Sequence, residues 1–331
     1  MIPQPLAEWR CVYELVMAGE TIRAAGILCF VSWACMKVEQ VVVAPFGQRL
    51  PSRAASKTIV VKEISMRRTT TLLLFLICTA SSASTVLITG SNSGIGYELA
   101  RQYADEGWHV IATHRRDSVP ESLATLAGQY DNVQIETLDV TDMAGIVALA
   151  TKLDGHPIDV LVNNAGIVGT FEQPEQKFGT LDYDLFHRFM DTNTAGPLRV
   201  AEAFYANVKA SDQKKIIAIS TPFASLTRIS TGFLKKNTGF SNRYWYNISK
   251  AAMNMAFVAL ASDAREDGIS VALLSPGLVK VERTSTYEMG EFAKSIAIEV
   301  DESARNLRTM IDELSIEVTV SFLSINGKLP W

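Results

Sequence analysis

Residues 85–96 read Thr-Val-Leu-Ile-Thr-Gly-Ser-Asn-Ser-Gly-Ile-Gly, and this stretch decides the fold that the sequence predicts. Its first four residues are a short apolar run that indicates a buried β-strand. Gly90, Gly94 and Gly96 follow, and a helix then runs to about Gly107. Glycines between a strand and a helix let the backbone turn tightly and approach a pyrophosphate at the helix N-terminus. The alternative is an ordinary glycine turn.

The alternation of strand and helix that begins here continues to the end of the chain. Further strands are predicted at residues 109–113, 133–138, 159–162, 215–219, 270–274 and 318–323, and further helices at residues 121–127, 142–153, 181–208, 246–266 and 302–314. Such alternation predicts a parallel sheet covered on both faces, and right-handed crossovers make it doubly wound. We therefore expect residues 84–331 to form a single α/β domain with a Rossmann sheet of about seven strands.

The composition narrows the classes of function. The chain has 331 residues and a net charge of −4, so no global basic excess points to a nucleic-acid partner. All four cysteines lie before residue 80, which leaves the rest of the chain without disulfide or Cys-ligated metal. The four histidines show no metal-ligand spacing, and we expect no metal site.

The chain before residue 84 differs from the rest. Residues 1–65 show no strand–helix pattern, and they are either an extension of unknown role or an upstream region that is not translated. Residues 66–83 combine Met66-Arg67-Arg68, an apolar run and Ala80-Ser81-Ser82-Ala83, the layout of a secretory signal or anchor beginning at Met66. The alternative is a buried or amphipathic helix. The segment predicts export or membrane anchoring, whereas the domain that follows is of a cytoplasmic type, so localisation stays open.

Tyr246 and Lys250 are four positions apart, so both side chains lie on one face if the segment is helical. A cation about 5 Å from a phenolate stabilises it by roughly 3 kcal/mol at an effective dielectric near 20. A tyrosine in this setting can exchange a proton with a substrate oxygen near neutral pH. The pair is weak evidence alone, because the same spacing is common on helix surfaces.

The end of the second predicted strand indicates the type of dinucleotide. The strand continues into His114-Arg115-Arg116, and no acidic residue appears before Asp117. A carboxylate here would bind the ribose hydroxyls of NAD, whereas an arginine can bind the 2′-phosphate of NADP. One charge-assisted hydrogen bond is worth roughly a ten- to hundredfold preference. Arg115 therefore predicts NADP(H), with NAD(H) and a pair of solvated arginines as the alternatives.

Four motifs in this order resemble the short-chain dehydrogenase/reductase family, from about residue 84 to the end of the chain. They are Thr89-Gly90-x-x-x-Gly94-Ile95-Gly96, Asn163-Asn164-Ala165-Gly166, Tyr246-x-x-x-Lys250 and Pro276-Gly277. Closer similarity to C-factor-like and sniffer-like carbonyl reductases is carried by Arg101-Gln102-Tyr103, Leu138-Asp139-Val140-Thr141-Asp142, Ser249-Lys250-Ala251-Ala252-Met253-Asn254 and Gly327-Lys328-Leu329-Pro330-Trp331.

The resemblance implies an NADP(H)-dependent oxidoreductase that interconverts a small-molecule carbonyl compound and an alcohol, with Tyr246 as general acid and base. A homo-oligomer is an open alternative to a monomer. The implied catalytic residues are Asn193, Ser220, Thr221, Tyr246 and Lys250. The implied cofactor-binding residues are Gly90, Asn92, Ser93, Gly94, Ile95, Gly96, Arg115, Asp139, Val140, Asn163, Ala165, Gly166, Tyr246, Lys250, Pro276, Gly277 and Val279. A nucleotide-binding signalling or scaffold protein with little turnover is the alternative function.

Within these sets the resemblance implies particular roles. Asp139 and Val140 would contact the adenine, and Pro276 and Gly277 would lie against the nicotinamide. Asn193 would bend its helix and hold a water linked to the catalytic lysine.

The chain departs from the family pattern near the substrate. Ser220-Thr221 replaces the usual pair of serines, so Thr221 takes the position that polarises the substrate carbonyl, with Ser220 as the fallback. Thr221 and Tyr246 are 246 − 221 = 25 positions apart, about twice the usual separation, so residues 228–243 are an insertion. One interpretation is that the insertion is a surface loop. The other is that it forms a wall of the substrate pocket or blocks the usual dimer face. Val281 replaces a common threonine, and residues 221–245 and 282–296 are expected to form the substrate pocket.

Overall fold

The computed structural model of the protein describes residues 83–169, 176–238, 243–280 and 291–331. The predicted N-terminal extension, the signal-like segment as far as residue 82, Val281 and most of the predicted pocket segment at 282–296 lie outside the described residues. Within the described ranges, no helix combines the length and apolar character that a membrane span requires.

In the described residues, ten strands are arranged in two sheets. They are β1 (Thr85–Ile88), β2 (His109–His114), β3 (Val133–Thr137), β4 (Val160–Asn163), β5 (Lys215–Ile219), β6 (Ser270–Leu274), β7 (Leu278–Val279), β8 (Ala297–Ile298), β9 (Ser321–Ser324) and β10 (Gly327–Lys328). The main sheet has the order β3-β2-β1-β4-β5-β6-β9-β10, and all its neighbours are parallel except β9 and β10. The predicted doubly wound fold is confirmed. Seven strands of the main sheet are parallel, and the short antiparallel β10 is an addition that the sequence did not indicate.

The helices cover both faces of the main sheet. In the described residues they are α1 (Gly94–Asp105), α2 (Glu121–Gln129), α3 (Met143–Lys152), α4 (Asp184–Met190), α5 (Gly196–Ala203), α6 (Tyr205–Lys209), α7 (Leu226–Ser230), α8 (Phe233–Thr238), α9 (Tyr244–Asp263), α10 (Glu291–Ile296) and α11 (Val300–Asp312). The long helical region predicted at residues 181–208 is helical from Asp184 onward, but a π-helical turn at Asp191–Ala195 and a break at Phe204 divide it into α4, α5 and α6. The last predicted strand also begins late, since Ile316–Val318 forms a 3-10 turn.

The core lies on both sides of the sheet because successive strand residues point to opposite faces. In β1, Leu87 packs in the cluster beneath α5 and α9, whereas Val86 and Ile88 pack in the cluster beneath α1 and α11. All three side chains are fully buried. This two-sided burial explains why the strands read as continuous apolar runs rather than as alternating patterns.

The order of the strands reverses next to β1. The chain winds outward from β1 through β2 to β3, and then returns to place β4 on the other side of β1. In an open parallel sheet such a reversal leaves a crevice at the carboxyl ends of the strands, where ligands bind. The glycine loop follows β1 at this edge, and Ser220 and Thr221 follow β5.

Candidate active site

A cavity of about 1120 Å³ occupies this crevice and collects most of the predicted site residues. The predicted residues that line it are Gly90, Asn92, Ser93, Gly94, Ile95, Gly96, Arg115, Asp139, Val140, Ala165, Gly166, Ser220, Thr221, Tyr246, Lys250, Pro276, Gly277 and Val279. Two predicted residues, Asn163 and Asn193, do not line the cavity. Both are buried beneath it.

The glycine loop is shaped by positive φ angles and by close packing. Gly90 has φ +68° and Gly94 has φ +57°, a region that side chains rarely adopt. A Cβ atom on Gly96 would lie 2.4 Å from both the Gly90 carbonyl oxygen and Asn164 Nδ2. No side chain caps the N-terminus of α1, so its first N–H groups face the cavity without a side-chain acceptor. The loop therefore fits a pyrophosphate.

Asn164, in the turn after β4, contacts this loop and is a residue that sequence reasoning missed. Its Nδ2 donates to the carbonyl oxygens of Thr89 at 2.9 Å and Gly90 at 3.1 Å. Thr89 Oγ1 in turn accepts from the backbone N–H groups of Asn164 and Ala165, both at 3.0 Å. These bonds join the turn after β4 to the turn after β1. The position inside the Asn-Asn-Ala-Gly motif was a signal, but the motif alone did not indicate which asparagine lines the cavity.

The loop after β2 presents cations to the other end of the cavity. Arg115 and Arg116 both line it, and Asp139 is the one acidic residue among the described lining residues. His114 Nδ1 accepts a hydrogen bond from the Arg116 backbone N–H at 3.2 Å. Burial lowers the pKa of His114 and so favours the neutral ring, which retains this acceptor. The loop can therefore hold a phosphate near the arginines.

Tyr246 and Lys250 occupy the first turns of α9, which begins next to the cavity. Lys250 is buried, and its Nζ donates to the carbonyl oxygen of Ile219 at 2.8 Å and lies 3.8 Å from Met253 Sδ. Burial lowers the pKa of Lys250 to about 8. The ammonium group is held at the end of β5, on the face of α9 that carries Tyr246.

Asn193 holds α9 against the turn after β4. Its Oδ1 accepts from the Ile167 N–H at 2.8 Å, and its Nδ2 donates to the Ile167 carbonyl at 2.8 Å and to Ser249 Oγ at 3.0 Å. Ser249 Oγ donates to the carbonyl of Tyr246 at 2.9 Å. Asn193 lies in the π-helical turn Asp191–Ala195, between α4 and α5. Asn193 thus positions the helix that carries the predicted acid.

The two hydroxyls after β5 have different surroundings. Ser220 Oγ donates to Asn254 Oδ1 at 2.6 Å and is buried. Thr221 Oγ1 accepts a long bond of 3.4 Å from the Phe223 N–H. Within the described residues, the Ser220 hydroxyl donates its hydrogen bond to Asn254, whereas the Thr221 hydroxyl donates to no protein acceptor. This arrangement favours Thr221 as the donor to a substrate oxygen.

The described part of the predicted insertion, residues 228–238 and 243, contributes a wall of the cavity. It contributes most of α7 and all of α8, and Arg228, Phe233, Leu234 and Asn237 line the cavity. Leu234 is buried, which a simple surface loop would not require. Of the readings that the sequence left open, the structure matches the pocket wall.

The end of the chain completes that wall, which sequence reasoning missed. Ile325, Asn326, Lys328 and Leu329 line the cavity. The backbone oxygen of Trp331 accepts from the Thr227 N–H at 2.9 Å and from Thr227 Oγ1 at 2.7 Å. These contacts join the last residues to α7. In the part of the chain that the structure describes, no group of three or more His, Cys, Asp or Glu side chains could hold a metal ion.

The doubly wound sheet, the glycine loop and the crevice define the class of nucleotide-binding α/β proteins. Comparison with known proteins gives the family. The model of the short chain dehydrogenase family matches residues 84–291. The 1-hydroxy-2-glutathionyl-2-methyl-3-butene dehydrogenase of Rhodococcus sp. (strain AD45) is 33% identical over 251 residues, which are 75% of this chain and 100% of that protein.

Two further proteins are similar. C-signal of Myxococcus xanthus is 30% identical over 185 residues, which are 56% of this chain and 99% of that protein. The crystal structure of an NADPH-bound carbonyl reductase from chicken fatty liver is 29% identical, has a TM-score of 0.66, and matches 75% of this chain and 94% of that chain. The protein therefore belongs to the short-chain dehydrogenase/reductase family of oxidoreductases, as the motifs predicted.

Proposed function

We propose that the protein is an NADP(H)-dependent oxidoreductase that interconverts a carbonyl compound and the corresponding alcohol. The observation that carries the proposal is that Thr221, Tyr246 and Lys250 line one cavity with the glycine loop. A hydroxyl, a phenol and an ammonium group beside a nucleotide site are the groups that a carbonyl reduction needs. The chicken enzyme, whose structure contains NADPH, is a carbonyl reductase with the same fold.

The residues of the cavity fit NADP(H). Gly90, Gly94 and Gly96 line the cavity as a loop that fits a pyrophosphate, and a Cβ on Gly96 would collide with the Gly90 carbonyl oxygen and displace that loop. Arg115 and Arg116 provide positive charge for a 2′-phosphate, and Asp117, the first carboxylate after β2, does not line the cavity. NAD(H) would forgo these contacts, so we propose that it binds more weakly.

NADPH, when bound, supplies the hydride that reduces the carbonyl carbon. Thr221 Oγ1 and the Tyr246 hydroxyl donate hydrogen bonds to the carbonyl oxygen, and Tyr246 transfers its proton as negative charge develops there. Lys250, held by Ile219, provides the positive charge that stabilises the resulting phenolate. Asn193 acts indirectly, since it fixes α9 through Ile167 and Ser249.

The test is NADPH oxidation with a panel of aldehydes, ketones and quinones, for the full chain and for Tyr246→Phe. We expect Tyr246→Phe to lose roughly a hundredfold or more in kcat, because general acid catalysis is typically worth that much, while NADPH still binds. Tyr130→Phe is the matched control, since its hydroxyl bonds Asp105 on the surface. Full reductase activity in Tyr246→Phe would refute the mechanism.

The same experiment separates the alternative function. C-signal, a relative of the same fold, bears the name of a signal rather than of an enzyme. NADPH binding without turnover of any compound in the panel would favour a nucleotide-binding signalling or scaffold protein.

A further inference from the structure

The cavity is also lined by charged residues that the proposed reduction does not use. They are Arg228, Arg243 and Lys328, and apolar side chains lie in the same lining. Asp139, the one acid among the described lining residues, follows β3 at the nucleotide side. Apart from Asp139, the charged side chains among the described lining residues are therefore all cationic.

Arg228 is a lining cation that is partly buried and contacts an aromatic ring. Its guanidinium carbon lies 5.0 Å from the centroid of the Phe233 ring, and it forms no ion pair with any carboxylate of the described residues. Burial lowers the pKa of Arg228, which means that its charge has lost part of its hydration. Lys280 provides the contrast, because it also lines the cavity but pairs with Glu299 at 2.7 Å.

A second lining arginine, Arg243, lies beside the proposed acid Tyr246. The guanidinium carbon of Arg243 lies 5.4 Å from the centroid of Phe223 and 4.9 Å from that of Tyr246. Arg243 is buried, whereas Lys328 is exposed at the rim of the cavity. A cavity lined by one sign of charge concentrates ligands of the opposite sign. Phe223, Phe233 and Leu234 add apolar surface between the charges.

We propose that the physiological substrate is an aldehyde or ketone that carries a carboxylate remote from its carbonyl group, and that Arg228 binds this carboxylate. This inference rests on the proposed function. The stacked guanidinium presents a planar fork that matches a carboxylate with two parallel hydrogen bonds. The carbonyl end then lies between Thr221 and Tyr246, and the apolar body of the substrate lies along Phe223 and Leu234.

The experiment compares 4-formylbenzoate with 4-formylbenzamide, two aldehydes of similar shape that differ in charge. NADPH oxidation is measured for the full chain, for Arg228→Gln and Arg228→Lys, and for Lys236→Gln. Lys236 is an exposed cation of the same insertion that does not line the cavity. Binding of 4-formylbenzoate to the NADPH complex is measured by calorimetry as an independent readout.

We expect the unmodified protein to prefer 4-formylbenzoate in kcat/KM by roughly ten- to a hundredfold, the value of a charge-assisted hydrogen bond. We expect the two aldehydes to differ in KM rather than in kcat, and we expect the difference to decrease as the salt concentration rises. Arg228→Gln abolishes the preference, Arg228→Lys retains part of it, and Lys236→Gln retains all of it. A merely structural role for Arg228 would instead lower kcat/KM for both aldehydes equally.

The outcomes distinguish this proposal from the proposed function. Reduction of both aldehydes without a preference for the carboxylate overturns the anion site and leaves the reductase function standing. Binding of 4-formylbenzoate that depends on Arg228, without reduction of any carbonyl, overturns the reductase function and supports the anion site. Absence of both binding and preference overturns the anion site outright.

Discussion

The guanidinium of Arg243 lies over the ring of Tyr246, with 4.9 Å between its carbon and the ring centroid. Arg243 immediately precedes α9, so the backbone that starts the helix also sets this stacking. A cation over an aromatic face is attracted to the ring, and it favours negative charge on the phenol oxygen. Tyr246 is thus placed between the charge of Arg243 and that of Lys250, one turn along the helix.

Arg243→Met should therefore lower kcat for a neutral aldehyde. A desolvated cation–π contact is worth about 1 to 2 kcal/mol, which corresponds to a decrease of roughly 5- to 30-fold. Arg243→Lys keeps the charge but loses the planar stacking, and an intermediate kcat is expected. Steady-state kinetics with 4-formylbenzamide measures the effect without a contribution from substrate charge. An unchanged kcat with a raised KM would show that Arg243 acts on substrate binding alone.

Arg115→Gln should change the choice of cofactor. The substitution removes a charge-assisted contact to the 2′-phosphate, so kcat/KM for NADPH should fall roughly ten- to a hundredfold while that for NADH changes little. Arg305→Gln is the control, because Arg305 pairs with Asp301 on the surface and does not line the cavity. If kcat/KM falls equally for NADPH and for NADH, Arg115 does not bind the 2′-phosphate.

Gly96→Ala and Gly128→Ala form a matched pair. A Cβ at position 96 would meet the Gly90 carbonyl oxygen and Asn164 Nδ2 at 2.4 Å, so the glycine loop would have to shift. A Cβ at position 128, inside α2, would meet nothing within 4 Å. We expect Gly96→Ala to weaken NADPH binding by at least roughly tenfold and to lower the melting temperature.

Gly128→Ala should instead leave NADPH binding unchanged and stabilise the protein by about 0.5 to 1 kcal/mol, because alanine loses less backbone entropy in a helix. Titration of NADPH and thermal unfolding measure the two effects. Equal NADPH affinity in the two variants would contradict the close packing of the loop.

Elements whose sequence pattern reflects burial could be predicted from the sequence alone. The strands β1, β5 and β6 begin and end at the predicted residues, because each is an apolar run buried on both faces. Tyr246 and Lys250 could be placed together because helical spacing is regular. Both predictions depend on local periodicity, which a single sequence displays directly.

The rest depends on contacts between distant residues, which a single sequence does not display. Asn163 and Asn164 are adjacent and chemically identical, and the strand register alone decides which of them reaches the glycine loop. Helices α7 and α8 have five and six residues, too short for a clear helical period. Trp331 reaches Thr227 across 104 positions, and no motif marks either residue for that contact.

Lys250 gives a prediction about stability and pH. The pKa of Lys250 is lowered from its ordinary value of 10.5 to about 8, because burial disfavours the ammonium form. Between these pH values the unfolded chain binds more protons than the folded chain does. The free energy of unfolding of the cofactor-free protein therefore rises with pH across this window through Lys250. Below pH 8 the buried charge costs about 3 kcal/mol of stability.

Lys250→Met removes that cost but leaves the Ile219 carbonyl oxygen without its donor, a loss of about 1 to 3 kcal/mol. We expect the variant to be inactive. At pH 7 its free energy of unfolding should be between 0 and about 2 kcal/mol higher than that of the unmodified protein. Between pH 8 and 10.5 the unmodified protein should gain about 3 kcal/mol relative to the variant. Urea unfolding of both cofactor-free proteins at pH 7.5, 9 and 10.5 measures the difference, in which other titrating groups cancel. Parallel pH dependences would mean that Lys250 keeps its ordinary pKa of 10.5 in the fold, and the phenol at Tyr246 would then face a fully charged neighbour at pH 7.5 and a half-charged one at pH 10.5.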